Sequence, residues 1–312
     1  MNLNQRAASL CQRLIADAER LRVNVSHVGE ATVIDAGIQS RGGLEAGLAV
    51  ADVCMAGLGR IGIEPTSSVW PGPAISVATD HPIAACMASQ YAGWQIAEGN
   101  FFAMGSGPMR AAAGKEELFA RLGHRETTLD AVGVLETRKM PSPEVIAYLA
   151  AACQVSPDRL TLLVAPTASQ AGGLQIVARS IETALHKLHE IGFDLTRIES
   201  GFGVAPLPPV AVDDLAAIGR TNDSILYGAE VTLWVRGSDE DLIAIGPRIP
   251  SNSSEDHGQP FRAIFERYER DFYRVDRHLF SPAVVTLINL DSGRTHRFGT
   301  LLPEVIQQSF TT

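Results

Sequence analysis

An α/β fold is what this sequence predicts, on three observations. Segments of helical periodicity alternate loosely with short apolar runs of strand type, and hairpin signals gather towards the C-terminal end. The 312 residues are 46% hydrophobic and 20% charged, enough to bury a large core and better suited to two subdomains than to one. No repeat with a period of roughly 20–50 residues is visible, and helices do not follow strands regularly enough for a barrel. The class is therefore α/β (α+β).

The elements follow in order. "MNLNQRAASLCQRLIADAERLRV" sets Leu10, Leu14, Ala18 and Leu21 on one stripe between polar faces, which predicts a folded amphipathic helix and not a signal peptide. "ATVIDAGI" predicts a strand, "RGGLEAGLAVADVCMAGLG" a helix of small residues bounded by glycines, and "AISVATD" a further strand. "HPIAACMASQYAGWQIAEG" reads as one helix, with Pro82 in its first turn and Gly99 as its stop. "NFFAMGSGPMRAAAG" runs from a short strand into a Gly-Ser-Gly-Pro turn, and "AVGVLET" is a strand. "PSPEVIAYLAAACQV" is a helix with Ser142 as its cap and Pro143 at its first position.

Leu160 to Ala165 then forms a strand, Pro166 to Gln170 a polar turn, and the residues beyond one long helix. "RIESGFGVAPLPPV" carries enough proline to suggest an edge or connecting segment. "VDDLAAIGRTND" predicts a short helix before two strands, "AEVTLWVRG" and "DLIAIG". "SNSSEDHGQP" is the most linker-like stretch. "FRAIFERYERDF" is helical, and "AVVTLINLDSGRTHRFGTLL" is a hairpin turning at Asp291-Ser292-Gly293.

Charge and composition exclude several functions. A net charge of −9 argues against nucleic acid as a partner, because phosphate binding needs a basic face. No Lys/Arg run offers a polybasic membrane patch, and no window approaches a membrane-spanning apolar length. Cys11, Cys54, Cys86 and Cys153 lie far apart in apolar contexts, which predicts buried free thiols in a reducing cytoplasm.

The chemical candidates are few. "GSGPMR" lacks dinucleotide-binding spacing, although its turn can set backbone N–H groups and Arg110 against a ligand. No nucleophile elbow occurs. Thr167 and Ser169 suit either capping of the following helix or binding of an anionic group at its N-terminus. In "ARSIETALHKLHEIGF", wound as a helix, Val177, Ile181, Ala184, Leu185 and Leu188 share one side. Gln175, Arg179, Glu182, His186 and His189 then share a flank of about 80°. His186, His189 and Glu190 give H-x-x-H-E, which is not the zinc-protease order, so no metal is expected. Arg179 and Glu182 form either an i,i+3 ion pair on a solvated face or a carboxylate kept ionised beside a guanidinium for proton transfer. On the residues alone both readings stay open.

Longer stretches carry a resemblance. "VAPTASQAGGLQIVARSIETALHKLHEIGFD", "ATDHPIAACMASQYAGW", "FAMGSGPMRA", "GVAPLPPVAVDDLAAIGRTNDSILYGAEVTLWV" and "FERYERDFYRVDRHLFSPA" resemble, in order, the methenyltetrahydromethanopterin cyclohydrolases. The resemblance runs from about residue 30 to the C-terminus. It implies two α/β domains facing each other across a substrate cleft, usually in a homotrimer. It also implies a cytoplasmic enzyme that hydrolyses the methenyl bridge of a tetrahydromethanopterin, with no metal or other cofactor. Of its branches the sequence looks closer to the bacterial one, in which the pterin serves formaldehyde oxidation. The family motif A-R-x-x-E-T falls on Arg179 and Glu182, which are then the catalytic pair. For the pterin the resemblance picks out Thr167, Ser169, Gly105, Ser106, Gly107, Tyr91 and Trp94. Plain core packing is the competing reading for Tyr91 and Trp94. Asn222 and Asp223 either contact the ligand or cap the start of the next strand. We divide the chain into 1–165 and 166–312, with the domains not necessarily contiguous. Two alternatives are a metal-dependent amidohydrolase built on Glu182, His186 and His189, and a pterin-binding protein without turnover.

Overall fold

The computed structural model describes residues 1–311. The chain opens with α1 (Leu3–Ala16), whose first turn is capped by the Asn2 side chain accepting from the Gln5 N–H, and α2 (Ala18–Leu21). An antiparallel pair follows, β1 (Asn24–Val28) and β2 (Ala31–Asp35), then α3 (Leu44–Cys54), β3 (Arg60–Glu64) and β4 (Ala74–Thr79). A π-helix covers Ile83–Gln90. Next come β5 (Trp94–Glu98), β6 (Phe101–Ser106), α4 (Met109–Ala113), α5 (Glu117–Leu122), β7 (Ala131–Glu136), α6 (Pro143–Cys153), β8 (Leu160–Ala165) and α7 (Gln170–Val177). The remainder holds α8 (Ser180–Glu190), β9 (Ile198–Pro206), α9 (Asp214–Gly228), β10 (Glu230–Val235), α10 (Asp239–Ile245), α11 (Phe261–Arg267), β11 (Val284–Asn289), β12 (Thr295–Gly299) and α12 (Pro303–Thr311).

The class is α/β with two mixed sheets, one in each of two compact units. The first unit comprises Met1–Gly59 and Ile83–Gln175, with strand order β1-β2-β8-β7-β6-β5. Strands β2, β8 and β7 run parallel at its centre and antiparallel neighbours flank them. Central strands buried on both faces need continuous apolar side chains, which Leu160 to Ala165 and Ala131 to Leu135 supply. The second unit comprises Arg60–Pro82 and Ile176–Thr312, with order β12-β11-β10-β9-β4-β3. The chain thus passes from one unit to the other inside α7, between Gln175 and Ile176, and residues 60–82 join the second unit.

Several expected elements differ. "HPIAACMASQYAGWQIAEG" is not one helix. The π-helix ends at Gln90, and Trp94 to Glu98 pair with β6 as a hairpin around Gly99, whose φ of 56° a glycine adopts without strain. Trp94 and Ile96 are buried while Gln95 and Ala97 are exposed, the period of two of a strand and not the period of a helix. β9 is not an edge but a central strand between β10 and β4, because its prolines cluster at and beyond its last residue. "DLIAIG" is helical in α10: Ser238 caps it by accepting from the Asp241 N–H, and three acidic residues occupy its first turn. "VDDLAAIGRTND" extends into a helix of 15 residues, capped by Asp213. "SNSSEDHGQP" is no linker, since it lies within the second unit and the buried Ser251 hydroxyl donates to Leu226 O.

Candidate functional site

The expected long helix breaks at its chemically interesting point. α7 ends at Val177, Ala178 and Arg179 form a turn, and α8 begins at Ser180. Arg179, at φ −90° and ψ 13°, is the N-cap residue of α8. Its N–H donates to Ile176 O, and its carbonyl accepts from both the Thr183 N–H and the Thr183 hydroxyl. Glu182 is therefore the third residue of α8, in a first turn whose unbonded peptide N–H groups favour an anion. Arg179 is 7% exposed and Glu182 5%, which removes the reading of a solvated helix face. A buried carboxylate and a buried guanidinium at a helix start are costly to desolvate and are far commoner in functional or networked positions than on plain surfaces.

The start of α8 lies close on β9. A Cβ added at Gly201 would sit 2.9 Å from Ile181 Cγ2. One added at Gly203 would overlap Ser180 Oγ and lie 3.2 Å from Ser180 Cβ and 3.3 Å from Ile181 Cγ1. The second half of the helix is tied down differently. Buried Lys187 donates to the Ser253 hydroxyl at 2.9 Å and to His278 O at 2.5 Å. Burial lowers its pKa to about 8, opposed by the nearby Asp276 carboxylate. Nothing in the sequence marks Lys187, because its position lies off both the apolar and the polar flank.

Of the other flank residues, Gln175 is buried in α7, whereas His186 and His189 are half-buried on α8. Among the described residues no group of three His, Cys, Asp or Glu side chains is placed to hold a metal ion. Asn222 does not cap a strand. It lies inside α9, and its amide donates back to Ile218 O at 2.9 Å. Its neighbour Asp223 is fully buried and accepts the Phe261 N–H at 2.7 Å. Burial pushes the Asp223 carboxyl up to about 7 against the opposing hydrogen bonds from Ser309 and the Phe261 N–H.

In the first unit, Thr167 and Ser169 occupy the turn between β8 and α7. Ser169 Oγ accepts the Gly172 N–H at 3.0 Å and donates to Pro166 O at 2.8 Å, so capping accounts for this hydroxyl. Thr167 is 8% exposed beside it. Asp35, which sequence reasoning missed, organises the adjoining loop. Its carboxylate accepts the N–H groups of Gly37, Ile38, Gln39 and Ser40 at 2.6–2.9 Å. A Cβ at Gly37 would meet Ser169 Oγ at 2.8 Å, so this loop rests directly on the Thr167–Ser169 turn. An Asp at a strand end followed by small and polar residues was the available signal.

Gly105 and Ser106 are the last residues of β6 and, with Gly107 just beyond it, are buried. Ser106 Oγ reaches Val134 O at 3.3 Å and Cys54 Sγ at 3.4 Å, and the Gly107 N–H donates to Ser89 O. These bonds tie the segment to β7, to α3 and to the π-helix. Arg110 is not presented to a ligand: it is fully buried and paired with Glu116. Trp94 packs in the core with Tyr148 at 6.2 Å between centroids. Tyr91 is half-buried, just after the π-helix.

The four cysteines are free and buried, as composition predicts. No helix among the described residues is long and apolar enough to cross a membrane.

A sequence-family model described as Cyclohydrolase (MCH) matches residues 2–310. The chain is 46% identical to a methenyltetrahydromethanopterin cyclohydrolase of Methylobacterium sp. (strain 4-46), covering 99% of this chain and 97% of that protein. It is 47% identical to a protein of the same name from Rhodopirellula baltica, over 98% and 94% of the two chains. With the Methanosarcina barkeri protein of that name the identity is 41%, over 99% and 98%.

Proposed function

The chain belongs to the cyclohydrolase (MCH) family, and from that premise we propose that it hydrolyses the methenyl bridge of a tetrahydromethanopterin through Glu182 and Arg179. The carrying observation is the placement of these two side chains, nearly buried, at the cap and first turn of α8.

The chemistry needs little else. The methenyl bridge is an amidinium cation, so its carbon is already electrophilic. Glu182 takes a proton from water as the oxygen adds to that carbon, leaving a neutral carbinol. The protonated Glu182 then gives the proton to the arylamine nitrogen as its C–N bond breaks. Loss of the hydroxyl proton to solvent completes the formyl group on the pterin nitrogen. One carboxylate thus serves as base and then as acid, a contribution of about 10²–10⁴-fold. The anion also attracts the cationic substrate, more strongly where water is excluded. Arg179 holds Glu182 in its charged form and fixes its direction. Thr167, Ser169, Gly105, Ser106, Gly107, Tyr91 and Asn222 are the residues this reading assigns to the pterin. The reaction runs without metal or redox cofactor, in the cytoplasm, in a homotrimer, and in the direction of formaldehyde oxidation.

Bleaching of the near-ultraviolet absorbance of methenyl-tetrahydromethanopterin tests this. The wild type is expected to accelerate bleaching far above the spontaneous rate in chelator. Glu182→Gln is expected to bind the substrate but lose about 10²-fold or more of turnover. Near-normal turnover in that variant would remove Glu182 from the mechanism.

A further inference from the structure

We propose that Arg110 is a positioning residue for the aromatic side of the pterin site, acting through Tyr91; the inference rests on the cyclohydrolase reading. Arg110 is among the largest fully buried side chains of the described core, and it carries a charge. A guanidinium so placed must satisfy its donors internally, and this one does so on two other chain segments, the π-helix and Glu116. Nε and Nη2 donate to Glu116 Oε1 and Oε2 at 2.8 and 2.5 Å, the two-pronged geometry that fixes both planes. Nη1 donates to Met87 O at 3.0 Å and Ser89 O at 3.2 Å, carbonyls in the last turn of the π-helix. These are carbonyls that a helix end leaves in need of donors.

The guanidinium carbon lies 4.9 Å from the Tyr91 ring centroid and 5.3 Å from that of Phe119. Tyr91 follows the π-helix directly, and its N–H closes onto Cys86 O. One face of its ring is therefore set by the cation, at a separation where the attraction is appreciable. The loop beyond it has no slack. A Cβ at Gly93 would overlap Glu116 Oε2 and lie 2.5 Å from Tyr91 Cε1. The ion pair thus fixes the carbonyl end of the π-helix, the Tyr91 ring and the Gly93 backbone together. Tyr91 is half-buried, and in the cyclohydrolase reading its ring is the flat surface offered to the pterin.

An interaction made equally with bound substrate and transition state changes KM and leaves kcat. Glu116→Gln, whose side chain is 18% exposed and tolerates an isosteric change, is the primary variant, with Arg110→Lys beside it. Glu116→Gln is expected to raise KM for methenyl-tetrahydromethanopterin about tenfold, the size of one aromatic contact, with kcat within about threefold. In the Tyr91→Ala background the same substitution is expected to add nothing further to KM, because it acts through the ring. An unchanged KM in Glu116→Gln, or an effect that adds fully to that of Tyr91→Ala, would overturn the proposal even where Arg110→Lys fails to fold. Quenching of protein fluorescence by tetrahydromethanopterin gives Kd independently of turnover. A wild type that binds but does not bleach would sink the hydrolase reading while the same cycle, read in Kd, still decides the role of Arg110. A wild type that neither binds nor bleaches would refute both.

Discussion

Replacing Gly203 by alanine tests whether the seat of α8 on β9 sets the rate. The new methyl lies 3.2 Å from Ser180 Cβ and 3.3 Å from Ile181 Cγ1, against an optimum of about 3.5–4.0 Å between carbons. Ser180 Oγ can rotate away, but a Cβ cannot. Gly203 is paired on both sides, with Val231 of β10 and Val77 of β4, so the strand has little room to yield. The first turn of α8 must lift by about 0.5 Å, carrying Arg179 and Glu182 with it. Catalytic groups need placement to about that tolerance, and a misplacement of about 1 Å can cost 10²-fold, so a loss of about tenfold in kcat is expected. Overpacking of this size costs about 1–3 kcal/mol of stability, visible in thermal melts. The reciprocal swap, Gly203→Ala with Ser180→Gly, moves the methyl across the contact and is expected to restore kcat to within about threefold. Ser180 Oγ has no hydrogen-bond partner among the described residues, so removing it sacrifices no internal bond. Bleaching kinetics on the three proteins decide the matter. A Gly203→Ala enzyme with wild-type kcat, or a swap no better than the single variant, would refute the coupling of this seat to the chemistry.

Asp223 bears on pH and stability. Its folded pKa of about 7 lies above the ordinary carboxylate value, so its neutral form is the one the fold prefers. The stability it supports is complete below about pH 4 and is lost as pH rises towards 7. Asp223→Asn is expected to raise the melting temperature at pH 8 and to have little effect at pH 4; a lower melting temperature at pH 8 would contradict this. Because hydrolysis turns a cation into a neutral formyl compound and one proton, the formyl-to-methenyl ratio at equilibrium is expected to rise about tenfold per pH unit. A pH-independent ratio would exclude the proposed stoichiometry. Burial pushes the thiols of Cys11 and Cys153 up to about 12, so a disulfide reagent at pH 8 should find essentially no fast thiol before denaturation and four after it. Ser142→Ala removes the α6 cap and is expected to cost about 1 kcal/mol in denaturant titrations, with kcat unchanged.

Local signals carried much of the fold into the sequence. Ser142 and Pro143 mark the start of α6, Asp291-Ser292-Gly293 marks the last hairpin, and Leu160 to Ala165 read as a buried strand. Each depends on residues near one another in the chain, so each was legible. The candidate pair was legible in a narrower sense. The identities and spacing of Arg179 and Glu182 stood out, but a spacing of three fits a surface ion pair equally well.

Tertiary structure decided the rest. An apolar run such as "DLIAIG" suits strand or helix until a cap chooses, and the two glycines of β9 matter only once the start of α8 packs against them. The break at Ala178–Arg179 has no proline or glycine to announce it, yet it turns an i,i+3 pair into an N-cap arginine and a first-turn glutamate. Arg110 looked like a ligand-facing cation and proved to be an internal fastener, because its acceptors come from Met87, Ser89 and Glu116. The sequence by itself determined which residue types are present, their periodicity and their caps. Burial and partnership were settled only when distant segments met, since desolvation and hydrogen bonding depend on neighbours that chain order does not specify.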